Sequence, residues 1–204
     1  MELTDLLNIE EIRHVNSKMT IDSIFEIIAK KLFKEYYIKK GKDRYDFLEI
    51  EFYYYSKEHP DACTYERNSE AGDFYFHLSG IDIAFKSDSK KGCYGGILIR
   101  SLLKNSNSEN SVVAGPLRCQ QDLFNNTMNI NGKTLSISLE QDENISENEP
   151  ENTYRYGIKS DINNGRKYCY YMRRTGCDPN WTCKKDGKTY SYNAKPWNRE
   201  TESN

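Results

Sequence analysis

The stretch that decides the fold reads EIEFYYYSKEH and covers residues 49–59. Successive side chains of a β-strand point to opposite faces, so its odd positions share one face: Glu49, Glu51, Tyr53 and Tyr55. The even positions share the other face: Ile50, Phe52 and Tyr54. Two carboxylates beside two rings, with His59 close behind, can hold a flat ring by stacking while a carboxylate activates water. An edge strand with a solvated polar face has the same pattern, and the alternation alone favours that interpretation.

Length and composition predict one folded domain with a tail. The chain has 204 residues, of which 37% are hydrophobic and 29% are charged. It also contains 16 Tyr, 8 Phe and 2 Trp, whereas disordered chains are poor in aromatic residues. We therefore expect a polar leader over residues 1–18, a folded domain over 19–175 and a basic, Trp-containing tail over 176–204.

The charge is distributed unevenly along the chain. The net charge of -2 argues against a uniformly basic nucleic-acid-binding protein. Residues 155–199, however, contain 11 Lys or Arg and 3 Asp or Glu, a surplus of eight positive charges. Residues 140–151 contain six acids and no Lys or Arg. The basic segment is a candidate phosphate-binding surface, and a solvated surface beside an acidic loop explains the pattern equally well.

The cysteines and the N-terminus indicate a reduced, cytoplasmic protein. Six cysteines occur without a C-x-x-C pair, and the three histidines show no metal-ligand spacing. The N-terminus is acidic and lacks an apolar segment, and no apolar run approaches the roughly 18 residues of a membrane span. We expect mostly free thiols, no bound metal and no membrane association. One disulfide among Cys169, Cys177 and Cys183 remains an alternative.

Strand patterns outnumber helix patterns. Apolar residues at helical spacing predict a helix over Ile21–Phe33 with a cap at Thr20 or Asp22, and Pro116 opens a second helix through Phe124. Strands are predicted at Tyr36–Lys40, Phe47–Tyr55, Phe74–His77, Ile81–Phe85, Gly95–Arg100, Lys133–Leu139, Arg155–Ile158 and Tyr168–Arg173. Because helices and strands do not alternate regularly, we predict a single α+β domain with a mixed or antiparallel sheet and a few flanking helices.

Several segments match the motifs of one family in the same order. EIEFY at 49–53 followed by His59 corresponds to an E-x-E-A-Y strand with a following histidine. The next counterparts are YFH at 75–77 before Gly80, ILIRS at 97–101 and GPLRCQQDL at 115–123. RYGI at 155–158 and KYCYY at 167–171 complete the series. In this order the chain resembles a divergent member of the alkyladenine (3-methyladenine) DNA glycosylase family.

The resemblance implies an activity and a set of site residues. Glu51 would be the general base that activates water, while Tyr53 and His59 would contact a flipped base. Arg100 would hold the site together or meet a phosphate. Further candidate substrate-binding residues are Glu49, His77 and Asp82. The resemblance implies a monomer that acts on nucleic acid, with DNA as the first candidate. It implies no metal, no cofactor and no lysine nucleophile.

Departures from the family pattern keep other functions open. Ser79 occupies the position of a tyrosine that wedges into the duplex, although the neighbouring Leu78 could wedge instead. Asp82 is an additional acid, and His77 replaces a stacking tyrosine. This more polar pocket suits a hydrogen-bonding substrate better than a cationic alkylated base. The alternatives are the same chemistry on a single strand or a free nucleotide, and a non-catalytic protein that binds nucleic acid or a protein partner.

Overall fold

The helices surround a sheet whose two longest strands lie at its centre. The computed structural model describes residues 1–106, 110–125, 131–132, 134, 136–142, 148–174, 182–185, 188–191 and 196, with backbone alone at 160–161, 182–185 and 188–191. Its helices are α1 (Leu3–Leu6), α2 (Ile9–Val15), α3 (Ile21–Glu35), α4 (Pro116–Phe124) and α5 (Ser160–Asn163). Its strands are β1 (Tyr36–Lys40), β2 (Asp43–Tyr55), β3 (Phe74–His77), β4 (Gly80–Ala84), β5 (Tyr94–Asn105), β6 (Asn110–Ala114), β7 (Ile137–Gln141), β8 (Glu151–Thr153), β9 (Cys169–Tyr171), β10 (Thr182–Lys185) and β11 (Lys188–Ser191).

Nine of these strands form one curled sheet. Its main path runs β3-β4-β5-β2-β1-β7, with β6 beside β5, β9 beside β2, and β8 beside β9. Strands β10 and β11 pair with each other in a separate two-stranded sheet. Every strand pair among the described residues is antiparallel. The predicted α+β class is therefore confirmed, and the sheet is of the antiparallel kind.

A break in the β2 register splits the sheet into branches. Strand β2 pairs with β5 along its length, but the register shifts between Phe47 and Ile50. Before this break the other edge of β2 pairs with β1, and after it with β9. An irregularity of this kind bends a strand and increases its local twist. Strand β2 consequently has neighbours on both edges and is a central strand.

Helix α3 closes the apolar face of the sheet. The Thr20 hydroxyl accepts the Ser23 N–H at 3.1 Å, so of the two caps that the sequence left open, Thr20 or Asp22, the structure has Thr20. Seven residues of α3 are buried, and the ring of Phe25 stacks on that of Phe52 with 4.4 Å between centroids. Ile50, Phe52 and Tyr54 lie in the same core cluster as the buried residues of this helix, and the alternation had placed these three on one face.

The N-terminal 18 residues differ from the polar leader that we expected. They form α1 and α2, and the buried apolar residues of this segment belong to the main core: Leu3, Leu6, Leu7, Ile9 and Ile12. The Leu7 carbonyl accepts the Lys86 N–H at 2.9 Å, and the Tyr54 hydroxyl donates to Glu10. Apolar residues three or four apart form one helical face, and this face, rather than the polar average, decides where the segment packs.

Other predicted elements also need correction. Residues 155–158 do not form a strand, because the chain turns at Tyr156 and Gly157, where Gly157 has a φ of +71°. The Arg155 side chain, just before this turn, is buried against Asp61. Strand β8 lies at the end of the predicted acidic loop, and β6 is a strand that the sequence did not predict. Strands β10 and β11 fall in the predicted tail, whereas Trp181 and Trp197 lie outside the described residues. Within the described chain, no helix has the length and apolar character needed to cross a membrane.

Candidate functional site

The polar face of β2 is buried. Glu49 and Glu51 have no exposed surface, and Tyr53 is half-buried. The interpretation of this stretch as an edge strand with a solvated polar face is therefore wrong. Burying a carboxylate is costly unless it is paired and hydrogen-bonded, so the partners of these two groups define the site.

Arg100 on β5 joins the two carboxylates. Its Nε lies 2.9 Å from Glu49 Oε1 and 3.4 Å from Glu51 Oε1, and its Nη1 donates to Glu51 Oε2 at 3.4 Å. Only 6% of the Arg100 side chain is exposed. Because β2 and β5 are neighbours, the two motifs that carry these residues meet across one strand pair. The sequence placed them together only through the resemblance.

Glu51 accepts two further hydrogen bonds. The Tyr53 hydroxyl donates to its Oε2 at 2.7 Å, and the Tyr156 N–H donates to its Oε1 at 2.6 Å. Burial, followed by the charge of Glu51, raises the pKa of the Tyr53 phenol well above its usual range. Tyr53 therefore keeps its proton and remains a donor. The side chain of Glu51 is held in one orientation by donors from three different segments.

Two small side chains also contact the Glu49 carboxylate. Ser101 donates to Glu49 Oε2 at 3.2 Å, and the Cys169 thiol lies 3.5 Å from Oε1. Ligand atoms of Glu49, Glu51 and Cys169 lie within 4.8 Å of one another, a spacing that suits a metal ion. The guanidinium of Arg100 is bonded to both carboxylates, however, so the arrangement is that of an ion-pair network. We assign no metal to it.

A second polar cluster lies on the same face, two strands away. Asp82 on β4 accepts a hydrogen bond from the Arg67 guanidinium, with Nη1 2.6 Å from Oδ2. Its other oxygen, Oδ1, lies 2.9 Å from His77 Nε2. The Arg67 guanidinium also lies 4.0 Å from the centroid of the Tyr75 ring. Asp82 is opposite Leu98 in the sheet register, and Leu98 is opposite Glu51. The two clusters thus lie on one face of the sheet, on either side of the buried Leu98, in a strip that crosses β2, β5, β4 and β3.

His59 lies outside this strip. Its Nδ1 is 3.0 Å from the Tyr54 carbonyl and its Nε2 is 2.9 Å from the Tyr168 hydroxyl. Tyr168 packs against Phe25 of α3, in the core under the opposite face. Burial, followed by the charge of Arg166, lowers the pKa of His59. The structure thus gives His59 a structural role instead of the base contact that the resemblance implied.

Three buried arginines repeat one arrangement along the strip. Arg100, Arg67 and Arg155 each pair with a buried acid and each lie over a tyrosine ring, those of Tyr156, Tyr75 and Tyr53 respectively. The sequence analysis missed Arg67, Asp61 and Tyr156 as parts of the site. Each comes from a loop that only the fold brings to the sheet, and no spacing in the sequence marks them.

Three arginines of the basic C-terminal segment bond to groups from other segments of the protein. Arg155 Nη1 is 2.6 Å from Asp61 Oδ2, and neither side chain is exposed. Arg166 donates to the Pro60 carbonyl at 2.8 Å, and Arg174 donates to the Phe47 carbonyl at 3.1 Å. These three arginines hold the fold together, so a phosphate surface in this segment would have to use its other cations.

Comparison of the chain with protein-family models, curated proteins and solved structures found no match in any of the three.

Proposed function

We propose that the protein hydrolyses the N-glycosidic bond of a modified or damaged base in a nucleic acid, with Glu51 activating the attacking water. DNA is the first candidate for that nucleic acid. The observation that carries the proposal is the Glu51 carboxylate, held by Arg100, Tyr53 and Tyr156 on a buried face. Hydrolysis of this bond passes through a cationic sugar. A fixed carboxylate stabilises such a charge most effectively where water is excluded.

Rings around the strip supply surfaces for a flat base. Tyr53 is half-buried beside Glu51, and 46% of Tyr156 is exposed above Arg100. His77 lies at the far end of the strip with 10% of its side chain exposed. A base must leave the duplex before its glycosidic bond can be reached, and stacking on such rings offsets the cost of unstacking.

The turn between β3 and β4 presents a candidate wedge. Leu78 is 94% exposed, directly after His77, and 48% of Phe76 is exposed on the same hairpin. The Ser79 hydroxyl lies 3.4 Å from that of Tyr65. Apolar side chains inserted between base pairs unstack them in other nucleic-acid-binding proteins. An exposed leucine beside the strip therefore fits insertion at the place that a flipped base leaves.

A second candidate function is binding without catalysis. It is favoured by the complete burial of Glu51, whose two carboxylate oxygens are both hydrogen-bonded within the protein. In this case the network would only stabilise a surface that binds nucleic acid or a protein partner. Both candidates use the same face of the sheet. A measurement of base release distinguishes them, because only the first candidate predicts it.

The test is release of bases from single-stranded and duplex oligonucleotides that carry alkylated, deaminated or otherwise modified bases. We expect native protein to release one class and Glu51→Gln, which keeps the shape of the side chain, to be at least about 100-fold slower. Glu26→Gln is the matched control, because Glu26 pairs with Lys30 at 3.1 Å on the exposed side of α3. Tyr53→Phe, which removes one donor to Glu51 and keeps the ring, should retain intermediate activity.

Binding without release of any base would favour the non-catalytic candidate. Equal rates for native protein and a folded Glu51→Gln variant would remove Glu51 from the reaction. Measurement of the free energy of unfolding of each variant separates loss of chemistry from loss of fold.

A further inference from the structure

Arg67 occupies the centre of the second polar cluster. Its Nη1 donates to Asp82 Oδ2 at 2.6 Å, and its Nε donates to the Tyr65 carbonyl at 3.1 Å. Its guanidinium lies over the ring of Tyr75, and only 1% of its side chain is exposed. One side chain thus ties the loop between β2 and β3 to strands β3 and β4. A lysine has no planar fork to make these contacts together.

Gly96 has no side chain and so leaves the space in which this guanidinium lies, which we call the seat. A Cβ at position 96 would lie 2.9 Å from Arg67 Nη1, 2.9 Å from Asp82 Cβ and 3.0 Å from Asp82 Oδ2. These distances are closer than side chains normally approach, so any side chain here would displace the Arg67–Asp82 pair. The cluster therefore depends on the absence of a side chain on a neighbouring strand.

Asp82 connects Arg67 to His77. Its Oδ1 lies 2.9 Å from His77 Nε2, while its Oδ2 is taken by Arg67. The Ser79 N–H donates to His77 Nδ1 at 3.2 Å, so Nδ1 is an acceptor and the ring proton is on Nε2. Both ring nitrogens are thereby used inside the protein. The rings of Tyr65 and Tyr75 also lie against His77, with centroids 5.2 and 6.1 Å from its own, so a ligand would contact the 10% of the His77 side chain that stays exposed.

We infer that Arg67, seated on Gly96 and acting through Asp82, is a positioning residue that fixes the orientation of the His77 ring for contact with a base. This rests on the proposed function, in which His77 is one of the rings that the base meets. Asp82, which we expected to bind substrate, is instead the bridge between Arg67 and His77. Neither Arg67 nor Gly96 needs to touch the base.

The experiment compares Arg67→Lys and Gly96→Ala, two changes at different residues that should have the same effect. The first readout is the nitrogen NMR spectrum of the His77 ring, assigned with His77→Phe. Native protein should show a slowly exchanging Nε2 proton on His77. Both variants should lose this protection, while the signals of His59 stay unchanged. Arg13→Lys, at an exposed helical pair with Glu10, is the control.

The second readout is affinity for an oligonucleotide with an unpaired 2-aminopurine, whose fluorescence is quenched on stacking. Both variants should bind about tenfold more weakly and quench less, a change that corresponds to about 1.4 kcal/mol. The double variant should be no weaker than either single variant, because both changes break the same contact. His77→Phe keeps a ring but cannot bond to Asp82, so it should bind and quench as weakly as Arg67→Lys, and His77→Asn, which has no ring, should lose quenching.

Unchanged His77 signals in folded Arg67→Lys and Gly96→Ala proteins would overturn the inference, as would variants that lose stability without losing affinity. If native protein binds no oligonucleotide, the proposed function fails, and the NMR readout still decides whether Arg67 positions His77. If one variant does not fold, the other carries the same test.

Discussion

The two faces of β2 are both buried, yet they are stabilised in different ways. On one face Phe52 packs in a set of rings that includes Phe25 at 4.4 Å and Tyr170 at 5.3 Å. On the other face Glu49 and Glu51 share Arg100. The apolar face depends on the area removed from water, which is non-directional and tolerates small changes of shape. The polar face depends on each charged group keeping its partner, which a single substitution can abolish.

The largest effect should follow loss of the shared partner on the polar face. Arg100→Met keeps much of the side-chain volume but leaves Glu49 and Glu51 buried without this guanidinium. We expect the free energy of unfolding to fall by about 3–5 kcal/mol, because an uncompensated buried charge is costly. Urea denaturation at neutral pH measures it.

The control for Arg100→Met is Lys30→Met, at the exposed pair with Glu26 on α3, which should leave the free energy of unfolding almost unchanged because exposed ion pairs are screened by solvent. A loss of less than about 1 kcal/mol for Arg100→Met would mean that the two carboxylates find other partners. The contrast between the faces would then disappear.

A smaller effect should come from His59, a buried titratable side chain near the apolar face of β2. Burial, then the charge of Arg166, lowers the pKa of His59 in the folded protein. The unfolded chain therefore binds more protons as the pH falls below about 6.5, and the free energy of unfolding should decrease with acidification in that range. One such group contributes a slope of at most about 1.4 kcal/mol per pH unit.

The measurement for His59 is stability between pH 7.5 and 5 in native protein, His59→Gln and His14→Gln. His59→Gln should flatten part of the slope, and His14→Gln is the control at an exposed histidine. An identical slope in native protein and His59→Gln would show that other groups dominate the acid response.

The smallest effect should come from trimming the apolar face. Ile50→Val removes one buried methylene next to the two carboxylates in sequence, on the side facing α3. We expect a loss of about 0.5–1.5 kcal/mol with no change in the state of the polar face. The readout is thermal or urea unfolding together with the base-release assay. Loss of activity without loss of stability would show that the two faces are coupled.

Local patterns were sufficient for several elements. Helix α3 has apolar residues at helical spacing and a threonine cap, so its start and its buried face were predicted correctly. The alternation in 49–55 correctly separated Glu49 and Glu51, which share Arg100, from Ile50, Phe52 and Tyr54, which lie in the apolar core. The Arg155–Ile158 prediction failed because the chain turns at Tyr156 and Gly157, with Gly157 in the left-handed region at a φ of +71°. Short apolar runs did not reveal that the N-terminal segment joins the core.

The candidate site divides in the same way. The sequence by itself determined that Glu49, Glu51 and Tyr53 share one face, because strand periodicity is a local property of the backbone. Only the tertiary structure decided that this face is buried, that Arg100 joins the carboxylates, and that Arg67 reaches Asp82 across the seat at Gly96. The physical reason is that burial and ion pairing depend on neighbours from distant segments, whose register and loop paths no local pattern encodes.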